Sequence, residues 1–329
     1  MTPPLRLILD TDPGGDDCFA LLWVLSAVQR SLVELVAVTT VGGNVVAQQT
    51  FTNASQVLRL AGFSAITVGR GEGDAPGRED AAHIHGSDGM GNLAAQLPPA
   101  THDWATAQSS VQLLGDRLRA EPGAITVVAI GPLTNLAAVE RQRPGTLRQA
   151  REIVVMGGAF QRDGNVAPKA EFNIWFDPEA ADVVFRSQAN LVIVPLDVTT
   201  QLRLTPAIAT AIVATVPPTP LTQFITQLCE FMVSTAIAYR ETAGVPAFLV
   251  HDAATIAYLL YPHLFQGRRA WVQVETQGEV TRGQTIFGDR HAPQTGSNAW
   301  VLQSVDAPLF FTYLVEDLKH WVQVCMASR

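Results

Sequence analysis

Four aspartates fall within eight residues near the start of the chain, in Leu5-Arg6-Leu7-Ile8-Leu9-Asp10-Thr11-Asp12-Pro13-Gly14-Gly15-Asp16-Asp17. Carboxylates this close repel one another, and burying them without partners is costly. A hard cation with oxygen ligands, Ca²⁺ or Mg²⁺, would resolve the repulsion. The bland alternative is an acidic first turn of a helix, favoured by the helix dipole. That accounts for Asp16 and Asp17 but not for Asp10 and Asp12, which precede the turn. Two neighbouring motifs fit less well. An EF-hand loop counted from Asp10 needs Glu at its twelfth position, where this chain has Leu21. Phosphatases that form an aspartyl phosphate carry Asp-x-Asp-x-Thr/Val after a strand, and here the fifth position is Gly14.

The elements that must hold these acids follow from periodicity. The apolar run ending at Asp10 and closed by Pro-Gly-Gly predicts a buried parallel strand, and a helical pattern starts at Asp17. The acids therefore sit at a strand's carboxyl end, the edge at which open α/β sheets bind ligands. Strands at 32–41, 66–68, 125–130, 153–156 and 191–196 alternate with helices at 48–61 and 104–120. This predicts an α/β fold with a mixed, mostly parallel central sheet flanked by helices, as one domain over residues 1–329. The strand at 191–196 is interrupted by Pro195 and ends at Asp197-Val198-Thr199-Thr200. Helices over 205–240 break at Pro217-Pro218, with Phe224, Leu228, Phe231 and Met232 reading as core. Later strands are expected at 270–275 and 285–287, and a last helix from Ala307.

Other polar groups lie at strand ends or in loops. Gly42-Gly43-Asn44 closes the second strand, and Thr134 or Asn135 could cap the helix after Gly131-Pro132. Residues 69–99 are rich in Gly, Pro, Asp and His and include Ile84-His85-Gly86-Ser87-Asp88-Gly89-Met90-Gly91; so long a loop is functional or disordered. Glu171 and Asn173 are two apart and would point the same way in an extended stretch, an acid and an amide suited to vicinal hydroxyls. Asp177 and Pro178 read as N-cap and first residue of a helix. His251-Asp252 opens a further helical pattern.

Composition narrows the partners. A net charge of −8 argues against nucleic acid, which needs basic surface, but not against a neutral small molecule. Cys18, Cys229 and Cys325 are far apart, which fits a reducing, cytoplasmic setting. No secretory signal and no membrane span is expected.

Together the motifs resemble those of the Ca²⁺-dependent nucleoside hydrolases, the inosine–uridine-preferring group. Asp10-Thr11-Asp12-Pro13-Gly14-Gly15-Asp16-Asp17 is similar to the family's N-terminal signature. His85-Gly86, Gly131-Pro132-Leu133-Thr134-Asn135-Leu136, Glu171-Phe172-Asn173 with Asp177-Pro178-Glu179-Ala180-Ala181, and His251-Asp252 match four further elements in the family's order. Ala253 stands where a proline is common.

The resemblance implies a Rossmann-related fold and Ca²⁺ held by Asp12, Asp17, Asp252 and the Ile130 carbonyl. It implies Asp12 as general base and His251 as the acid facing the leaving base. Asp16, Asn44, Asn165, Glu171 and Asn173 would bind ribose hydroxyls, Met156 would line the site, and His85 would touch the base. Asp10 would orient the loop from behind. A homo-oligomer, dimer or tetramer, is implied as well. Histidine at both base-side positions leans toward uridine and cytidine, or toward a non-specific enzyme. A purine nucleoside or another N-riboside stays open. So do two other classes, a metal-dependent phosphoesterase and a non-catalytic nucleoside-binding protein.

Overall fold

The computed structural model describes residues 3–71, 79–288 and 296–327. In chain order the elements are β1 (Leu5–Thr11), α1 (Gly15–Gln29), β2 (Val33–Thr40), α2 (Ala47–Leu60), β3 (Val68–Gly69), α3 (Ala82–His85), α4 (Ser110–Ala120), β4 (Ile125–Ala129), α5 (Thr134–Gln142), β5 (Glu152–Met156), α6 (Phe172–Phe176), α7 (Pro178–Arg186), β6 (Leu191–Val194), α8 (Leu196–Thr199), β7 (Arg203–Leu204), α9 (Pro206–Val213), α10 (Pro220–Ala238), β8 (Phe248–Leu249), α11 (Ala253–Leu260), β9 (Phe265–Ala270), β10 (Val272–Val274), β11 (Thr285–Phe287), β12 (Ala299–Val305) and α12 (Ala307–Ala327).

Among the described residues the main sheet has eight strands, ordered β3-β2-β1-β4-β5-β6-β12-β9. Every neighbouring pair is parallel except β12–β9, which is antiparallel. The sheet is therefore mixed and mostly parallel, as expected. Its strands are apolar on both sides because helices cover both faces. Leu9, Val128, Val154 and Val192 face one core, while Ile8, Val127, Ile153 and Ile193 face the other, the two-residue alternation of a strand. The strand order reverses between β1 and β4. From β1 the chain winds outward through β2 and β3, and from β4 it winds the other way. That reversal opens a crevice at the carboxyl ends of β1 and β4, beside Asp12 and Ile130. Helix α1 leaves the crevice and is buried almost all round, from Gly15 to Ala27, so it runs through the core rather than over it.

Several local expectations change. The helix expected at 104–120 begins at Ser110, because Ser109 caps it by accepting from the Gln112 N–H at 3.2 Å. Leu196 belongs to α8 rather than to a strand, since Pro195 breaks the ladder. Neither Thr134 nor Asn135 caps α5. Both lie inside the helix, and their side chains bond elsewhere, to Asp177 and Asp10. Glu171 and Asn173 do not share an extended stretch. Phe172–Phe176 is a helical turn, with Glu171 as its N-cap. Strands β9 and β12 carry no clear alternation, so their own pattern does not mark them as strands. Of the long segment 69–99, residues 72–78 lie outside the described residues. Among the described residues no helix is long and apolar enough to cross a membrane.

One buried carboxylate ties the last helix to the first. Asp317 on α12 accepts from the Trp23 indole at 2.8 Å and the Tyr261 hydroxyl at 2.7 Å, and it pairs with Arg30. Replacing it strands the buried Trp23 indole N–H, the half-buried Tyr261 hydroxyl and the Arg30 cation. Asp317→Ala is expected to cost about 2–4 kcal/mol, read as a lower midpoint in urea with KM unchanged. A midpoint equal to wild type would show that the three donors are satisfied without it.

Candidate active site

The crevice floor is built by the turn after β1. Asp10, in register with Thr39 of β2, accepts from the Thr39 hydroxyl at 2.6 Å and the Asn135 amide at 2.8 Å; Asn135 also donates to the Thr40 carbonyl at 2.8 Å. Asp10 thus locks the ends of β1 and β2 to the start of α5. Asp12 accepts from the Asn44 N–H at 2.8 Å. Gly43 and Gly131 crowd its two carboxylate oxygens so closely that neither position has room for a Cβ. The Asn44 amide donates to the Asp12 carbonyl and to the Asp17 carboxylate, each at 3.0 Å. Asp17 also accepts from the Thr11 hydroxyl at 2.6 Å and from the Gly14 N–H at 3.0 Å.

Oxygens of Asp16, Asp17 and Asp252 all lie within 4.8 Å of one another. Asp252 arrives from the far end of the sequence, at the start of α11, which packs against α1. Burial and the neighbouring acids raise the carboxyl of Asp252, and burial raises that of Asp17. Burial, reinforced by the charge of Asp17, pushes Asp16 up to about 8. Burial pushes Asp10 up to about 7 against its hydrogen bonds from Thr39 and Asn135. Asp12 and Asp252 are held well above the usual carboxylate range by burial and by their acidic neighbours. One oxygen of Asp10 and one of Asp12 are buried with no hydrogen-bond partner among the described residues.

The walls carry the neutral groups. His85 ends α3 and accepts from the Gly15 N–H through Nδ1 at 2.9 Å, so its ring proton resides on Nε2. The loop behind it is folded around Asp88, whose carboxylate accepts from the N–H groups of Met90, Asn92 and Ala94, each at 2.8 Å. Burial lowers His85 to about 3 and His251 to about 4, so both imidazoles are neutral near pH 7. Opposite, Glu171 is fixed by three backbone donors. It accepts from Gly158 at 3.0 Å, Asn173 at 2.8 Å and Ile174 at 3.2 Å, while burial raises it to about 6. The Asn173 amide donates to the carbonyls of Ile130 at 3.0 Å and Met156 at 3.2 Å. Exposed Asn165 accepts from the Phe172 N–H at 2.9 Å, buttressing the same turn.

These groups surround one cavity of about 270 Å³. Every residue singled out from the sequence as a ligand, acid or substrate contact lines it except Asp12, which is buried against Gly43, Gly131 and Asn44. Residues not foreseen include Trp175, Phe248 and Glu241 on the cavity wall, and Asn135 and Thr199 behind it. Only Asn135 and Thr199 left a trace in the sequence, since both follow the carboxyl end of a parallel strand.

The donor set suits a hard divalent cation. The trio supplies oxygen ligands only, an oxygen of the neighbouring Asp12 lacks a partner among the described residues, and the acids raise one another's proton affinity, which a positive charge would relieve. A carboxyl held above its ordinary value near 3.8 keeps a proton that the unfolded chain releases. The metal-free protein should therefore lose stability as pH rises from about 4 towards 8. Its melting temperature is expected to fall by about 5 °C or more between pH 5 and 8. Added Ca²⁺ should reverse the loss, with a larger effect at pH 8. A melting temperature that ignores both pH and Ca²⁺ would remove the cluster as a cation site.

Comparison with known proteins converges on one family. The model of the inosine-uridine preferring nucleoside hydrolase family matches residues 7–312. Uridine nucleosidase 1 of Arabidopsis thaliana is 35% identical over 305 residues, covering 90% of this chain and 85% of that protein. The inosine-uridine preferring nucleoside hydrolase of Leishmania major is 34% identical over 321 residues, covering 96% of this chain and 98% of that protein. The solved structure of a purine-preferring ribonucleoside hydrolase from Gardnerella vaginalis superposes with a TM-score of 0.88 at 28% identity, covering 97% of this chain and 99% of that one. The crevice of acids at β1 and the matches along the whole chain agree: this protein belongs to the nucleoside hydrolases, enzymes that cleave N-ribosyl bonds.

Proposed function

We propose that this enzyme hydrolyses pyrimidine ribonucleosides, uridine and cytidine foremost, in a Ca²⁺-dependent reaction. The observation that carries the reading is the buried Asp16–Asp17–Asp252 trio, walled by two neutral imidazoles in one cavity. Asp12, Asp17, Asp252 and the Ile130 carbonyl would hold the ion, with Asp16 close enough to share in it. When bound, the ion neutralises the acids, anchors ribose hydroxyls and makes water more acidic.

The protein's own groups do the rest. Asp12, with one buried oxygen unpartnered, takes the proton of the attacking water. The water oxygen bonds to C1′ as the C1′–N bond breaks through an oxocarbenium-like transition state, which the acidic floor favours. Asp16, Asn44, Asn165, Glu171 and Asn173 hold the ribose hydroxyls, and Met156 packs beside them. A pyrimidine leaves with charge spread over its carbonyl oxygens, and His251 and His85 offer it N–H donors. The three free thiols support a cytoplasmic setting. The family resemblance supports a dimer or tetramer.

A purine reading has its own support. Trp175 puts an indole on the cavity wall that could stack on a larger base, and the Gardnerella vaginalis relative is purine-preferring.

Free ribose released from uridine, cytidine, inosine and adenosine, with Ca²⁺ and after chelation, tests the reading. Ribose that requires the ion, with uridine ahead of inosine, is expected; inosine ahead would select the purine reading, and ion-independent release would refute the metal assignment. Asp12→Ala should lower kcat about a thousandfold or more, and near-normal turnover would unseat Asp12 as the base. His251→Ala should slow uridine about a hundredfold or more while bound calcium, measured by atomic emission, stays constant. Unchanged turnover would exclude His251 from leaving-group assistance.

A further inference from the structure

We propose that Thr199 is the positioning residue for His251: its hydroxyl donates to Nδ1 and so holds the ring proton on Nε2, the nitrogen left to the cavity. The proposal rests on the reading of His251 as the group that faces the leaving base.

Thr199 Oγ1 lies 2.7 Å from His251 Nδ1. Distance alone leaves the direction open, because either atom can donate. Burial decides it. Thr199 is fully buried, and among the described residues its hydroxyl bonds to His251 Nδ1 and to nothing else. If Nδ1–H were the donor, the hydroxyl proton would be stranded without an acceptor in a dry site, the costly outcome for a buried polar group. If the hydroxyl donates, both groups are satisfied. With Nδ1 accepting, the ring proton of His251 sits on Nε2.

The neighbouring threonine shows that this arrangement is not the default. Thr200 turns its hydroxyl back onto the Leu196 carbonyl at 2.7 Å, the usual habit of a threonine in a helix. Thr199 makes no such bond to the Pro195 carbonyl among the described residues; its hydroxyl turns to His251. The backbone also keeps the two partners together. The Leu202 N–H bonds to the Thr199 carbonyl at 3.0 Å, and the Val250 N–H bonds to the Leu202 carbonyl at 3.1 Å. The short antiparallel pair β7–β8 then sets Arg203 against Leu249 and Leu204 against Phe248. The turn after β6 is thus tied to the chain that delivers His251.

The same tautomer holds at His85, where a backbone N–H, which can only donate, occupies Nδ1. Both rings therefore present Nε2–H donors. That pair suits a leaving group whose acceptors gain charge as the glycosidic bond breaks, such as the carbonyl oxygens of a pyrimidine.

The test compares a nucleoside with a riboside that needs no help to leave. Uridine and p-nitrophenyl β-D-ribofuranoside are assayed with Ca²⁺-loaded wild type, Thr199→Ser, Thr199→Val, His251→Ala and the double variant Thr199→Val/His251→Ala. Thr199→Val is expected to lower kcat on uridine about ten- to a hundredfold with KM within about threefold, as for groups that orient a working imidazole. It should leave p-nitrophenyl riboside within about threefold. Thr199→Ser should recover most of the uridine rate, and the double variant should be no slower than His251→Ala. In ¹⁵N NMR spectra of histidine-labelled protein, His251 should show a protonated Nε2 in wild type and a mixture of tautomers in Thr199→Val.

Equal slowing of both substrates would mark Thr199 as merely structural and overturn the proposal. So would a protonated Nδ1 in wild type, or additive losses in the double variant. If His251→Ala itself spares uridine, the assignment of His251 falls and takes this role for Thr199 with it. If His251→Ala slows only uridine while Thr199→Val slows neither substrate, the proposal for Thr199 fails alone.

Discussion

Five buried aspartates at the end of the first strand and the start of α11 create a charge problem that the rest of the structure is arranged around. Asp10, Asp12, Asp16, Asp17 and Asp252 are all nearly inaccessible to water, and Asp12, Asp16 and Asp252 are pushed up by acidic neighbours as well as by burial. Such a cluster persists only where hydrogen bonds, shared protons or a cation balance it. Donors from Thr11, Thr39, Asn44 and Asn135 supply part of that balance, and they come from β1, β2, the loop after β2, and α5. The remainder, with one oxygen of Asp12 unpartnered among the described residues, is what a hard divalent ion would supply.

The location of the cluster follows from the winding of the sheet. Strands β1 and β4 lie side by side at the reversal of strand order, so the turns that follow them open a crevice that no crossover covers. Close approach is the main packing demand there. Gly43 and Gly131 bring backbone against the carboxylate of Asp12, and Met232 of α10 packs where a side chain on Gly15 would stand. Helix α10 and the segment carrying His85 close the opposite side. The cavity therefore gathers its aspartates at the floor and holds its two neutral imidazoles on the walls.

The two histidines illustrate how a fold sets the chemistry of a titratable ring without charged partners. Each is neutral because burial penalises the imidazolium. Each has Nδ1 occupied by a group on a different element, Gly15 at the start of α1 for His85 and Thr199 at the end of α8 for His251. Orientation and tautomer are thus properties of the assembled fold, since the partners are separated by 70 and 52 positions in the chain.

Much of this was legible in the order of residues. The acids after an apolar run, the glycines that follow strands, and the Asp177-Pro178 cap are local signals, because strand period, turn chemistry and capping act over a few residues. The same signals placed Asn44, Ile130 and Met156 at strand ends, and the mostly parallel sheet followed from alternation. Other features depended on the assembled molecule. Glu171 and Asn173 became a capped helical turn because backbone donors from Gly158, Asn173 and Ile174 converge on one carboxylate, an arrangement no spacing rule reveals. Strand β12 was invisible because its place between β6 and β9 is decided by long-range pairing rather than by its own pattern. The sequence by itself determined which groups could do chemistry and which turns would carry them. Only the tertiary structure decided that Asp252 joins Asp16 and Asp17, that Asp12 sits behind the trio, and that Thr199 reaches His251, because those contacts depend on how distant segments pack and on the water that packing removes.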